Sequence, residues 1–308
     1  MVDYDLLLKG GHVIDPANGL DEPLDVAIAA GRIAALERDI PAASAAKVAA
    51  LSGLYVVPGL IDMHMHAFGY QGSLHPDGHA LPNGATTVVD AGGAGWKTFE
   101  RFQSEVIATA KTRVLAFLNI VGAGIVEEAE QDVGEMDAEA AAEMIRRHPD
   151  VLVGVKTAHY RPSDWQAIDR AVEAGALSNT PIMVDSWPKP TCSYRDMLLE
   201  HLRPGDIHTH VYAQQFPLLD EQGRVSDYVW EARRRGVLFD VGHGSGSFWF
   251  RVAVPAIAQG FCPDTLGTDL HKHSVLRPNA HLLATLSKFL NMGMPLTDVI
   301  AGAASRAA

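Results

Sequence analysis

The sequence predicts an α/β protein, a (β/α)8 TIM barrel preceded by a small β unit. Three observations carry the prediction. From Tyr55 onward eight apolar runs recur, and between them lie amphipathic stretches of helix length, the rhythm of strands and helices alternating around a closed parallel sheet. Before Tyr55 the apolar runs are shorter and are cut by tight turns. Polar residues collect at the C-terminal ends of the later runs: His64 and His66, Asp90, Lys156, Asp185, His210, His243 and Asp269. In a barrel those ends converge on one rim, the face on which such enzymes place their chemistry.

The first unit, residues 1–56, contains DYDLLLKG, GHVID, DVAIAAG and RIAALE, punctuated by Gly10-Gly11, Pro16-Ala17-Asn18-Gly19 and Gly31-Arg32. Most of these runs are too short for helices and read as paired strands. The barrel is assigned to residues 57–308. Its strands are read from YVVPGLID, ATTVVDAG, RVLAFLNI, VLVGVKTA, PIMVDSW, DIHTHVY, VLFDVGHG and DTLGTDLH. Helices are expected over 97–111, 137–147 (with Asp137 as N-cap), 164–177, 193–202, 226–235 and 249–259. An open doubly wound sheet would want a Gly-rich phosphate turn after its first strand. Here that strand runs into Asp62-Met63-His64-Met65-His66.

Composition narrows the function. The chain has 308 residues, 47% hydrophobic and 20% charged, which excludes a disordered or fibrous chain. A net charge of −12 disfavours nucleic acid or an anionic membrane as partner. A small-molecule substrate is expected, and a homo-oligomer is compatible. Cys192 and Cys262 form no CxxC pair, so the chain has no disulfide framework, and both read as reduced thiols in a cytoplasm. The opening MVDYDLLLKGG has no basic n-region or cleavage signature. The longest apolar stretch starts at Val114, falls short of the ~18 residues of a membrane span and is interrupted by Asn119. Fourteen histidines against two cysteines point to nitrogen and oxygen ligands for any metal.

His64 and His66 lie two apart on a strand, so both side chains face the barrel mouth and offer two nitrogens to a metal; a hydrogen-bonded core pair is the plainer reading. Lys156 ends an apolar run, where burial depresses an amine's pKa. A neutral amine can add CO2 to become a carbamate, an anionic ligand able to bridge two cations. Snorkelling to solvent is its plainer role. His210 closes the sixth run, while His208, one layer deeper on the same face, reads as a hydrogen-bonded interior histidine. Asp269 ends the eighth run, where a carboxylate can bind metal and accept a proton, or simply cap a helix. His243, in a Gly-Ser loop after the seventh run, is placed to hydrogen-bond a substrate carbonyl or a developing oxyanion. The same loop lacks the GK[ST] of a phosphate cradle, and the chain has no GxSxG elbow.

At Val57-Pro58-Gly59-Leu60-Ile61-Asp62-Met63-His64-Met65-His66 the chain resembles the amidohydrolase superfamily, and most of all its amidohydrolase/deacetylase, dihydroorotase-like metallohydrolase group. The resemblance runs over essentially the whole chain. It implies that residues 1–56 belong to a small β-sandwich flanking the barrel. That sandwich is expected to be truncated at the C-terminus, because the chain ends at Ala308, around the last barrel helix; either the sequence is a fragment or the sandwich is incomplete. It also implies one or two divalent ions, zinc first and manganese, iron or cobalt as alternatives. His64 and His66 would hold the more buried ion with Asp269, and a carbamate on Lys156 would bridge to a second ion that His210 also holds. A bridging hydroxide would attack the carbonyl, with Asp269 taking the proton and delivering it to the leaving group. The family usually has a histidine at the end of strand five, where this chain has Asp185; Asp185 is expected to ligate the second ion, or a water on it, and to favour a hard cation.

The expected activity is metal-dependent hydrolysis of an amide, or an ester, in a small acylated or cyclic substrate. A catalytically silent barrel acting as a structural or binding partner is the alternative, and a metal-free sugar- or phosphate-binding barrel leaves the histidine placement unexplained. Tyr160, Arg161, Arg277 and Trp187 are candidates for substrate contact and read equally well as surface residues.

Overall fold

The computed structural model describes residues 3–277 and 281–308; Met1 and Val2 of the N-terminal unit and 278–280 of the barrel segment lie outside the described residues. The N-terminal unit is one five-stranded sheet. Strands β1 (Tyr4–Asp15), β2 (Leu20–Ala29), β3 (Arg32–Glu37) and β4 (Ala45–Ala50) lie in the order β3-β2-β1-β4, with β5 (Tyr55–Val56) also on β1. β1 pairs antiparallel with β2 and parallel with β4. No second sheet faces it among the described residues, so the expected sandwich is here a single layer. Ile33, Val48 and Tyr55 are correspondingly exposed. Its small core is Leu7, Ala27 and Ile40, and Ile14 at the far end of β1 packs on Ile300 and Ala304 of the barrel unit.

Seven strands follow in unbroken parallel order: β6 (Leu60–Met65), β7 (Ala85–Gly95), β8 (Arg113–Asn119), β9 (Leu152–Ala158), β10 (Ile182–Asp185), β11 (Ile207–His208) and β12 (Leu238–Phe239). The eighth run closes the ring without being a continuous strand. Val241 N–H donates to Thr265 O on one side (3.2 Å), while Asp269 N–H donates to His64 O (2.6 Å) and His66 N–H to Leu270 O (3.0 Å) on the other. Strands β10 to β12 are shorter than their apolar runs. Beyond them the backbone leaves the extended region, at Gly242 (φ 43°) and, among non-glycine residues, at His210 (φ 60°) and Asp269 (φ 50°).

The helices match the expected segments. Asp137 caps Ala138–Arg147 by accepting the Ala140 N–H at 3.0 Å, with Arg146 and Arg147 at the opposite dipole end. Gln166–Ser178 ends on Asn179 in the left-handed conformation. The 97–111 and 193–202 segments begin as α-helix and pass into π-helix at Gln103–Ile107 and Met197–His201.

Two cores result. Met63, Val89, Ala91, Phe117, Met183 and Ile207 fill the barrel interior, and a larger cluster packs between sheet and helices. Two register slips decide what reaches the mouth. Between Asp62 and Met65, β6 carries one residue more than β7. Met63 therefore faces in and Met65 out, and His64 and His66 turn toward the mouth. Between Leu152 and Gly154, β9 carries one residue more than β8. Val155 then faces the helices, and Lys156 turns inward.

Candidate metal centre

The rim gathers His64, His66, Lys156, Asp185, His210 and Asp269 from four strands and the closing run. His64, His66 and Asp269 each offer a ligand atom, and these atoms lie within 4.8 Å of one another. His66 Nε2 is 3.0 Å and His64 Nε2 3.8 Å from Asp269 Oδ1. Around them lies a cavity of about 510 Å³ lined by Lys156, Asp185, His210 and Asp269, with Tyr70, Trp187, Gln214, Gln215 and His271 on its walls.

The buried groups are held for ligation. Thr209 Oγ1 donates to Asp240 Oδ2 at 2.7 Å, so its proton is committed. His64 Nδ1 must then be the donor to that pair, 2.9 Å from Thr209 Oγ1 and 3.2 Å from Asp240 Oδ2. That tautomer leaves His64 Nε2 as a bare lone pair, buried and with no hydrogen-bond partner. His210 is anchored in the same way, with Nδ1–H donating to Gly242 O at 2.7 Å, but its Nε2 lies 3.4 Å from Asp185 Oδ2. Against the lowering by burial, Asp185 raises its pKa to about 9, so an ion bound there would displace a proton. Burial and the nearby Lys156 lower the His64 pKa to about 4, keeping the ring neutral as a ligand must be. Lys156 is 1% exposed and its Nζ has no partner. Burial lowers its pKa, against the pull of Asp185 and Asp269. An orphaned ammonium there would be costly, and a neutral amine awaiting a further group fits the position.

For Asp269, burial alone would raise the pKa, but hydrogen bonds from His271 and His66 hold the carboxyl well below the usual carboxylate range. Backbone room is also cut to fit. At Gly92 (φ 88°) a Cβ would lie 2.6 Å from Lys156 Cγ, and at Gly244 (φ 51°) 2.2 Å from Asp269 Oδ2, so neither position accepts a side chain.

Two expectations fail on position. His243 is not brought into the cavity: its ring stacks on Phe248 at 4.7 Å, and its Nε2 is 2.8 Å from Lys288 Nζ. His208 is buried but faces outward, among Tyr194, Phe216 and Phe239, with neither ring nitrogen hydrogen-bonded. The break in extended geometry at His210 ends the alternation that would have put both on one face. Asp90 sits at the rim as an anchor, accepting the N–H groups of Ala67 (2.7 Å) and Gly93 (2.6 Å). Tyr160 is buried, Arg161 pairs with Glu127, and Arg277 donates to Ser245 O; Trp187 alone of the four substrate-contact candidates lines the cavity. Both cysteines are free.

The sequence reading missed Asp240 and Thr209 behind His64, His271 behind Asp269, and His159. The last follows β9 with φ 55°, its Nδ1 3.1 Å from buried Glu130 and its Nε2 3.4 Å from Asp185 Oδ2. A histidine three residues after Lys156 was the available signal.

The closed parallel ring and its rim of imidazoles and carboxylates define a metal-dependent barrel hydrolase. No protein-family model matches the chain. Among curated proteins, a deacetylase of Agrobacterium fabrum is 30% identical over 281 residues, covering 88% of this chain and 69% of its own length. A deacetylase of Enterococcus faecalis is 30% identical over 313 residues, covering 97% and 82%. Among solved structures, an adenine deaminase matches at TM-score 0.88 and 29% identity over 99% of this chain and 84% of its own. A dihydroorotase matches at TM-score 0.85 and 28% identity, over 98% and 82%. The chain belongs to the amidohydrolase superfamily. It is an enzyme of the class that hydrolyses carbon–nitrogen bonds other than peptide bonds, and nothing in its relatives favours a silent barrel.

Proposed function

We propose that the rim holds two divalent ions, zinc first, and hydrolyses the amide or ester bond of a small acylated or cyclic substrate. The observation that carries this is a pair of buried atoms without partners, His64 Nε2 and Lys156 Nζ, beside His66 and Asp269. Buried polar atoms are otherwise satisfied in folded proteins, and this donor set of nitrogen and oxygen suits zinc, manganese, iron or cobalt.

His64, His66 and Asp269 would hold the inner ion; Lys156, Asp185 and His210 would hold the outer one. Lys156 contributes after CO2 adds to its neutral amine, forming an N–C bond and releasing one proton. Ions bound there supply Lewis acidity and bring the ionisation of water close to neutrality. The chain does the rest. Asp269, held as a carboxylate by the His271 imidazole, receives the proton and returns it to the departing nitrogen or oxygen. Tyr70, Gln214 and Gln215 present neutral hydrogen-bonding groups to the acyl part, and Trp187 gives the cavity an apolar wall. No helix among the described residues is long and apolar enough to cross a membrane.

The test is a screen of N-acyl amino acids, cyclic imides and acyl esters with the metal-loaded and the chelator-stripped protein. Turnover confined to the loaded protein supports the reading. Equal turnover after complete stripping, verified by elemental analysis, contradicts it.

A further inference from the structure

Asp185, at the end of β10, has one carboxylate oxygen within ion-pair distance of two imidazoles. Its Oδ2 lies 3.4 Å from His210 Nε2 and 3.4 Å from His159 Nε2. His210 is anchored through its other nitrogen on Gly242 O. His159 is anchored on Glu130, with Nδ1 3.1 Å from Oε1 and 3.4 Å from Oε2. Glu130 is 1% exposed, and His159 is its one side-chain partner among the described residues. The main chain is tied as well, since Gln131 Nε2 donates to His159 O at 3.1 Å.

This arrangement is costly. A carboxylate is buried for a single partner, and a histidine is held at φ 55°, a region non-glycine residues seldom occupy. Strain kept in this way points to a requirement of the site. The requirement follows from charge. Asp185 faces Asp269 and Lys156 across one cavity, and once Lys156 carries a carbamate, two anions repel it. A short carboxylate with solvent-filled space in front of it would turn away from His210. A second imidazole on the same oxygen opposes that, and His159 Nε2, 3.4 Å from Asp185 Oδ2, supplies it.

We propose that His159 and Glu130 are positioning residues that hold Asp185 in place as a ligand of the outer ion. The end of β9 thereby completes a site that β10 alone leaves loose. The inference rests on the reading of the rim as a metal centre.

The experiment titrates the stripped full-length chain with Zn²⁺ against a chromophoric chelator, which gives the stoichiometry and affinity of each ion. Wild type is compared with His159→Ala, with Glu130→Gln, and with the double variant His159→Ala/Asp185→His. An imidazole at 185 is neutral, so the carbamate and Asp269 do not repel it and it needs no clamp. His159→Ala should weaken the outer ion about 10- to 100-fold and spare the inner one, the usual loss when a ligand's outer partner is removed. Glu130→Gln, which preserves shape, should show a smaller loss of the same sign and keeps the test open if His159→Ala disturbs folding. The double variant should regain the outer ion. Kinetics separate this from substrate contact: excess Zn²⁺ should restore kcat in His159→Ala with KM unchanged. Two ions at wild-type affinity in His159→Ala, or a raised KM with both ions bound, overturns the inference alone. A wild-type chain that takes up no outer ion overturns the reading of the rim instead.

Discussion

The imidazole of His64 and the carboxylate of Asp240 form a buried pair across the barrel, Nδ1 to Oδ2 at 3.2 Å, with neither side chain more than 1% exposed. Asp240 is itself fixed by Thr265 Oγ1 at 2.8 Å and Gly267 N–H at 3.0 Å, both on its other oxygen. Burial would raise its pKa, but the bonds from His64, Thr209 and Thr265 bring it to about 2. A carboxylate behind a ligating imidazole fixes the tautomer and makes the exposed nitrogen a better donor to metal. Asp240→Asn should therefore weaken the inner ion by about 10- to 100-fold in chelator competition while the barrel stays folded. An unchanged affinity would assign Asp240 to barrel closure alone.

Lys156→Ala removes a side chain assigned to the outer ion. Elemental analysis should show the outer ion lost, and short carboxylic acids added to the buffer should restore part of the activity by standing in for the carbamate. Full metal content without any added acid would remove Lys156 from the site.

Asp269→Asn keeps a side chain of the same shape that cannot take a proton. Loss of general acid–base catalysis should lower kcat about 10²- to 10⁴-fold, with circular dichroism and Tm close to wild type. Near-normal turnover on the true substrate would exclude Asp269 as the proton carrier.

The barrel was legible because its signals are local. Eight apolar runs and the Asp137 cap depend on neighbours within a few residues, and the helices fall on the amphipathic stretches between those runs. The rim was half legible. His64, His66, Lys156, Asp185, His210 and Asp269 all reach it, but two of the strands get there through bulges that simple alternation does not reveal: counting from Ile61 and Met63, which face the interior, would send His64 outward. His208 shows the reverse, since alternation put it beside His210 and the left-handed turn at His210 separated them. The supporting partners were invisible for a different reason. Asp240 meets His64 across 176 positions of sequence, and only ring closure brings them together. His159 takes its role from a strained backbone that no local pattern announces.

Away from the rim, Asp77 ties the loop after β6 to the start of β8. Its carboxylate accepts the N–H groups of Lys111 (2.9 Å) and Thr112 (2.8 Å) and the Thr112 hydroxyl (2.8 Å). The Lys111 N–H, then those of Thr112, lower its pKa to about 2. A carboxylate depressed on folding contributes stability above its unfolded pKa of about 4 and loses it as pH falls through the folded value. The Tm of wild type should exceed that of Asp77→Asn at neutral pH, and the gap should close between about pH 4 and pH 2. A gap independent of pH would show that charge at Asp77 plays no part.

The central claim, a two-ion centre on this rim, is tested most directly by anomalous X-ray scattering from crystals grown with Zn²⁺. Two peaks are expected, one among His64, His66 and Asp269 and one among Lys156, Asp185 and His210, with density for a carbamate continuous with Lys156 Nζ. A bare Lys156 amine and no anomalous peak on the rim, in crystals of protein that still turns over substrate, would contradict it.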